Sequence, residues 1–442
     1  MTMDVPEARD VHSCGTVNHY EKATDRVNAK SEKALERIEG RAFFKVSTSD
    51  DPVVARLHDD PKLSNVRVFA TDAILAVLMA AGRSTYSWDI VVNRVGNKLF
   101  LDKRPDSSID YVTCNETAHD VGDEDKESIN HPVKLMSEAT FINQNFSQQV
   151  LSKTEPPLKF EDPASPFQDG AADEVPAPVG YKYRIFTLGK APKEGETDTR
   201  LEMLCRTELD AVMKGKQDET LLMRLYALNE TDSKLSGGID WRQKLESQRG
   251  AVLATELKNN SNKLAKWTVQ AMLAGADLIK LGYVSRTNVR DCFHHVILGT
   301  QQYKPKEFAQ HINLNMNNAW GMLKAIIDLC LQLEEGKFLL LKDPNKPVIR
   351  FYSIPQDAFE EDPNAMMAED DEEEEEEYEE EKKKTINGKT AIKSSPNARP
   401  KPKKKKAAGG GGTPKKKGGA STPKKAGGGG KAGGASKLKK KK

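Results

Sequence analysis

The chain has 442 residues, of which 37% are hydrophobic and 30% charged, and its formal net charge is only +2. That near-neutrality is a cancellation: residues 382–442 hold 21 lysines, one arginine and no acid (+22), residues 357–381 hold 16 acids and no base (−16), and residues 1–356 are left with −4. No apolar run reaches the roughly 18 residues of a membrane span, and MTMDVPEARD lacks the basic-then-apolar order of a secretory signal, so neither is expected. Cys14, Cys114, Cys205, Cys292 and Cys330 are scattered, with no Cys-x-x-Cys pair. Neither a zinc knuckle nor a disulfide framework is expected, and the compartment reads as reducing and intracellular.

Residues 1–18 read as a polar, flexible N-terminus, and residues 20–38 as charged and weakly helical. After the turn at Asp50-Asp51-Pro52, the run AILAVLMAAG predicts a helix with Asp72 as N-cap and Gly82 as stop signal. Residues 88–95 and 98–102 predict two strands joined by a tight turn at Val95-Gly96-Asn97. Residues 114–132 (CNETAHDVGDEDKESINHP) break the pattern. They are acidic and exceed the about 12–15 residues beyond which structureless connections tend to be functional or disordered. Residues 154–180 are a second linker-like stretch, rich in proline. Segments 181–188, 201–213, 221–228 and 250–256 read as strands. Segments 262–274 and 320–333 read as helices, the latter with Trp320, Leu323, Ile327 and Cys330 on one face. Residues 337–342 and 347–353 flank Asp343-Pro344-Asn345 as a hairpin. The acidic block 357–381 and the Lys/Gly/Pro tail 382–442 cannot bury a core and are expected to be disordered.

The common phosphate-loop, dinucleotide, zinc-protease and serine-hydrolase signatures are absent. His294 and His295 are neighbours whose side chains point apart, so one is expected to be packed and one solvated. Glu208-Leu-Asp210, read as strand, sets two carboxylates on one face. Glu256-Leu-Lys258, also read as strand, does the same for a carboxylate and an ammonium. Side by side, these four residues could hold a divalent cation for phosphodiester cleavage. On spacing alone, an ion network with Lys258 or Arg206 is the favoured reading. For RNA, aromatic faces and exposed polar groups matter more than bulk charge. Tyr86, Trp88, Phe141 and Phe146 lie near Asp72, Thr140, Asn143 and Gln144 in segments flanking the acidic loop. A methylated guanine is flat and cationic, and suits aromatic faces with a carboxylate. Equally, Trp88, Phe141 and Phe146 can be core.

Several long stretches carry a resemblance: NVRVFATDAILAVLMAAGRSTYSWDIVVNRVGNKLFLDKR, SEATFINQNFSQQ, GIDWRQKLESQRGAVLATELKNNSNKLAKW, LGYVSR, HHVILGTQQYKPKEFAQHINL and LEEGKFLLLKDPNKPVIRFYS. Across residues 18–353 the chain resembles the family of the D subunit of eukaryotic translation initiation factor 3. The resemblance implies an α/β (α+β) fold, a mixed-sheet cup with surrounding helices like that of the decapping exonucleases. It implies a non-enzymatic role in preinitiation complexes: binding the 5′ cap of selected mRNAs and promoting cap-dependent translation in the cytoplasm. The implied partners are capped mRNA, the other subunits of the factor and the small (40S) ribosomal subunit, with no membrane and no cofactor. The cap-binding domain would be 19–356. Its implied cap contacts are Asp72, Thr85, Tyr86, Thr140, Asn143 and Gln144, the last standing where animal members carry His. An RNA gate at about 116–134 would hold Glu116, Asp120, Asp123, Glu124, Asp125 and Glu127 against Lys126 and Lys134, a net of −4. The alternative is a metal-dependent decapping or 5′–3′ exonuclease activity using Glu208, Asp210, Glu256 and Lys258, with Gln270 nearby. Two departures from the family stand out. The basic N-terminal arm of more than a hundred residues that family members carry is not seen ahead of Asp4, and Glu360-Glu361 replace serines before the acidic block.

Overall fold

The protein is described by a computed structural model over residues 2–359, apart from 106, 118–127, 168–174, 193–199, 233–238 and 344–345. The acidic block from residue 360 onward and the basic tail lie outside the described residues. So do Asp120, Asp123, Glu124, Asp125 and Glu127 of the expected gate.

The strands are β1 (Ala8–Val17), β2 (Lys33–Ala34), β3 (Arg41–Ala42), β4 (Val66–Thr71), β5 (Asp89–Val95), β6 (Lys98–Asp102), β7 (Leu158–Lys159) and β8 (Val175–Pro176). They continue with β9 (Gly180–Leu188), β10 (Leu201–Leu209), β11 (Ala211–Lys214), β12 (Thr220–Asn229), β13 (Leu278–Arg286), β14 (His295–Tyr303), β15 (Gly336–Lys342) and β16 (Ile349–Ile354). The helices are α1 (Pro52–His58), α2 (Asp72–Met79), α3 (Pro132–Gln149), α4 (Trp241–Lys244), α5 (Arg249–Asn259), α6 (Ser261–Leu273), α7 (Pro305–His311) and α8 (Met316–Gln332). Nine strands form one mixed sheet in the order β16-β15-β5-β6-β4-β10-β9-β1-β7, and five form a second, β11-β12-β13-β14-β2. The expected mixed α/β class is what the chain adopts.

The two sheets are joined at one residue. β10 closes the middle of the larger sheet, Asp210 turns the chain, and β11 opens the edge of the smaller one. The Asp210 amide donates to Met223 O at 3.0 Å, and the Asp210 carboxylate accepts from the Leu225 amide at 2.8 Å. Both bonds tie the corner to β12. Helices α2, α6 and α8 bury Leu75, Leu78, Val269, Leu273, Leu323 and Ile327 in one core with the larger sheet. Each such side chain contributes about 1.5–3 kcal/mol on removal from water. On the smaller sheet α3 buries Ile142 and Phe146, and Val150 just after it joins the same cluster. Gly282 in β13 permits this approach, because a Cβ there would stand 2.3 Å from the Phe146 ring. No helix among the described residues is long and apolar enough to cross a membrane.

Four expectations are corrected. Within the expected flexible end 1–18, Ala8–Val17 is a strand: β1 pairs with β9 from Ala8↔Phe186 to Gly15↔Gly180 and buries Cys14 and Val17. Its polar look reflects cross-strand ion pairing, since Asp10 meets Lys182 at 2.9 Å and Arg184 at 2.7 Å. Residues 20–38 form a short 3-10 turn (Lys22–Arg26) and β2 rather than a helix. Residues 250–256 belong to α5, not to a strand; Val252, Glu256 and Asn259 are its buried side, at the helical spacing of four and three. Asp72 is the first residue of α2, not its N-cap, because the Thr71 hydroxyl accepts from the Ile74 amide at 3.4 Å. By contrast, the β5–β6 pair, the turn at Gly96 (φ +56°) and the β15–β16 hairpin stand where the sequence places them.

Candidate functional site

A cleft enclosing roughly 1370 Å³, open mouth included, lies where the sheets join. Asp72, Thr140, Asn143, Gln144, Glu208 and Asp210 all line it. Residues far apart in sequence thus meet there: α2 follows β4, α3 crosses the back of β12, and β10 brings Glu208 to the corner. The Asp72 carboxylate accepts from the Glu208 amide at 3.3 Å, joining the helix start to the strand end.

Asp72 is 1% exposed, and its carboxyl is raised to about 7 by burial first and by the Glu208 carboxylate second, with Arg224 opposing. Asp210 is also raised, by burial, against the pull of Arg224 and the Leu225 amide. Arg224 from β12 is the centre of this wall. Its Nε lies 3.4 Å from Asp210 Oδ2, and its Nη1 donates to Glu208 Oε2 at 3.5 Å. The same Nε donates to Tyr226 Oη at 3.1 Å, and the Tyr226 ring is stacked on Trp267 at 4.6 Å. The Glu208-x-Asp210 pair therefore shares one face, as its period of two requires. Its cation is Arg224 rather than Lys258 or Arg206.

Of the four residues named for a metal, Glu208 and Asp210 line the cleft, and Glu256 and Lys258 do not. Arg224 pairs with both Glu208 and Asp210. Glu256 is buried and does not line the cleft; it accepts from Asn260 Nδ2 at 3.0 Å, and its carboxyl is raised by burial against the pull of Lys263. Lys258 is exposed on α5, because residues two apart on a helix point in different directions. Among the described residues no group of three His, Cys, Asp or Glu side chains could hold a metal ion.

On the α3 wall the three polar residues differ in availability. Thr140 Oγ1 accepts from the Val112 amide at 2.9 Å and donates to Met136 O at 2.8 Å. Asn143 Oδ1 accepts from the Ala227 amide at 2.9 Å and so pins α3 to β12. The half-buried Gln144 amide has no hydrogen-bond partner among the described residues. Of these three, Gln144 is the one free to read a ligand with its whole side chain.

Thr85 and Tyr86 are not on the cleft lining. Thr85 Oγ1 donates to Glu116 O at 3.1 Å, and Tyr86 Oη donates to Asn115 O at 3.4 Å. The Tyr86 hydroxyl is pushed up to about 12 by burial, then by Glu116 and Cys114. Both residues hold the stem of the 118–127 segment. Glu116 belongs to that stem too, not to a solvated acidic loop. It is 2% exposed and accepts from the Asn262 and Lys263 amides at 2.9 and 2.8 Å, capping α6 from outside the helix. Glu116→Ala should therefore cost about 0.5–2 kcal/mol of stability. Urea unfolding checks this, and a loss within error of zero would show that another group caps α6. The far stem is held by Arg286, which donates to Ile129 O and Asn130 Oδ1 while paired with Glu138. His295 is buried against Glu138 and His294 is exposed, the split expected of adjacent histidines.

The aromatic group read from the sequence is elsewhere. Trp88 and Phe146 are core, and neither they nor Phe141 line the cleft. The aromatic residues that do are Phe43, Phe44, Tyr111, Tyr181, Tyr226 and Trp267. Arg224 and Tyr226 at a strand spacing of two could have been found beside Glu208 and Asp210. So could Lys263, Lys266, Trp267 and Gln270, at one helix-face spacing.

The sequence model described as eukaryotic translation initiation factor 3 subunit 7 (eIF-3) matches residues 1–353. The curated D subunit of eukaryotic translation initiation factor 3 from Bombyx mori is 54% identical over 360 residues, covering 81% of this chain and 63% of that protein. The D subunit from Danio rerio is 51% identical over 362 residues, with 81% and 63% covered. The chain thus spans just under two thirds of the length of these relatives. Among solved structures, Scheffersomyces stipitis Rai1 has a TM-score of 0.48 at 14% identity, covering 81% of this chain and 90% of that one. The Candida albicans Rai1 structure has a TM-score of 0.46 at 11% identity, with 81% and 92% covered. On the match across residues 1–353 and the identity to its relatives, the chain belongs to the family of eukaryotic translation initiation factor 3 subunit 7, whose curated members carry the name of the factor's D subunit.

Proposed function

We propose that this chain is a non-enzymatic subunit of the translation initiation factor 3 complex that holds the 5′ cap of selected mRNAs in the cleft. In this role it promotes cap-dependent initiation on the 40S ribosomal subunit in the cytoplasm. The observation that carries the reading is the pairing of a free Gln144 amide with the Asp72 carboxyl in one cleft. An amide reads the edge of a base, and an ionised carboxylate attracts the positive charge of a methylated guanine. Thr140 and Asn143 shape that wall, and Thr85 and Tyr86 act at one remove by fixing the stem that Glu116 anchors.

The test is crosslinking of the purified full chain to RNA with a labelled cap, competed by cap analogue. Gln144→Ala should weaken crosslinking roughly tenfold, the value of about 1–3 kcal/mol for a lost buried hydrogen-bonding group. Crosslinking that cap analogue fails to compete would overturn the reading. The enzymatic alternative predicts Mg²⁺-dependent release of the label. The pairing of Arg224 with Glu208 and Asp210 counts against it, because the guanidinium already neutralises the carboxylates a metal would need.

A further inference from the structure

The cleft has two unlike walls. On one, Asp72, Glu208 and Asp210 gather around Arg224. On the other, α6 presents Lys263, Lys266, Trp267 and Gln270, a spacing of three, one and three that puts all four on one side of the helix. The other cations on the lining are largely committed. Lys103 is paired with Asp110, Arg206 with Asp51, and Arg224 with Glu208 and Asp210, while Lys45 lies over the Tyr111 ring at 4.9 Å.

Lys263 and Lys266 are different. Lys263 is 1% exposed, and its Nζ has no hydrogen-bond partner among the described residues. It lies 5.4 Å from the centre of the Trp267 ring. Its nearest acidic neighbours cannot accept its protons in full: Glu116 is spent on the Asn262 and Lys263 amides, and Glu256 accepts from Asn260. Lys266 makes no ion pair among the described residues. Burial pushes its ammonium down, Glu116 pulls it back up, and Lys263 repels it. A buried ammonium with no hydrogen-bond acceptor is costly to keep, and an anion entering between Lys263 and the half-buried Lys266 supplies that acceptor.

We infer that Lys263 and Lys266 form a polyphosphate subsite on the α6 wall, which takes the phosphate chain at the 5′ end of a nucleotide ligand while the carboxylate wall faces its base. This rests on the proposed cap-binding role for the identity of the base, but not for the phosphates. Lysine ammoniums bind phosphate oxygens as compact point charges and need no particular base. Trp267, stacked on Tyr226, shields Lys263 from bulk water, which lengthens the reach of its charge.

The experiment titrates the full chain with three probes: a methylated cap analogue carrying a triphosphate bridge, the corresponding methylated nucleoside, and inorganic tripolyphosphate. Calorimetry and Trp267-weighted fluorescence quenching provide the readouts. In the unmodified protein the triphosphate bridge should raise affinity at least tenfold over the nucleoside, and tripolyphosphate should compete with the cap analogue. In Lys263→Met and in Lys266→Gln that affinity ratio should fall by tenfold or more. Lys266 is the less buried of the two, so K266Q carries the test if K263M does not fold. A ratio unchanged in a folded K266Q protein, or no competition by tripolyphosphate, overturns the subsite. If lysine-dependent tripolyphosphate binding persists but the methylated cap analogue binds no more tightly than tripolyphosphate, the cap reading fails and the polyphosphate subsite stands.

Discussion

Asp51→Ala should destabilise the protein by about 3–5 kcal/mol, the usual cost of removing one partner of a buried ion pair. Asp51 is 0% exposed and serves three elements at once. Its carboxylate caps α1 by accepting from the Val53 and Val54 amides at 2.8 and 3.2 Å. It accepts from Tyr183 Oη of β9 at 3.0 Å and from Arg206 Nη1 of β10 at 2.9 Å. Alanine would leave the Arg206 guanidinium, itself 4% exposed, with Val46 O at 2.7 Å as its hydrogen-bond acceptor among the described residues. Asn at this position keeps an acceptor for the helix start and loses the charge, so Asp51→Asn should fall between wild type and alanine. Equilibrium urea unfolding by circular dichroism measures both. A loss below about 1 kcal/mol for Asp51→Ala would mean that water reaches Arg206 and the pair is not sealed. Because Arg206 lines the cleft, the same substitution loosens the wall opposite α6.

What the sequence made legible follows how local each signal is. The α2 run, the β5–β6 pair and the terminal hairpin carry their own start, turn and stop residues, and they form where those residues put them. Glu208 and Asp210 were legible as a same-face pair because the period of a strand is local. Their cation was not, since Arg224 reaches them only through the pairing of β11 with β12 after the chain has changed sheets. The β1 strand escaped notice because its solvent-side residues are charges balanced by Lys182 and Arg184, two partners some 170 residues away. In α5, the short apolar run AVLAT reads equally as strand, and only the burial of Val252, Glu256 and Asn259 on one side decides for helix. That single change of period removes Glu256 and Lys258 from the carboxylate wall. Composition marked residues 114–132 as unusual, yet the acid at their near stem is a buried helix cap, a role composition cannot distinguish from a solvated charge.

Cap affinity should fall about tenfold for each pH unit below 7, and Asp72→Asn should abolish that dependence. The free cleft holds the Asp72 carboxyl at about 7, by burial and by the Glu208 carboxylate. A cationic base prefers the ionised form, so binding must first remove the proton, and the population able to do so shrinks tenfold per unit below that value. Above it the dependence flattens, because the carboxylate is already ionised. Protein stability supplies an independent reading with the opposite dependence. A carboxyl raised above its ordinary 3.8 keeps its proton in the fold after the unfolded chain has lost it. Its contribution is therefore complete below about 4 and is lost as pH rises toward 7. Asp72→Asn, which retains an acceptor for the Glu208 amide, should make stability flatter across that window and higher than wild type at pH 8. Isothermal titration with cap analogue from pH 5.5 to 8 and urea unfolding over the same range test both statements. Equal pH slopes for wild type and Asp72→Asn would take Asp72 out of the ligand's reach and assign the titration to the ligand itself.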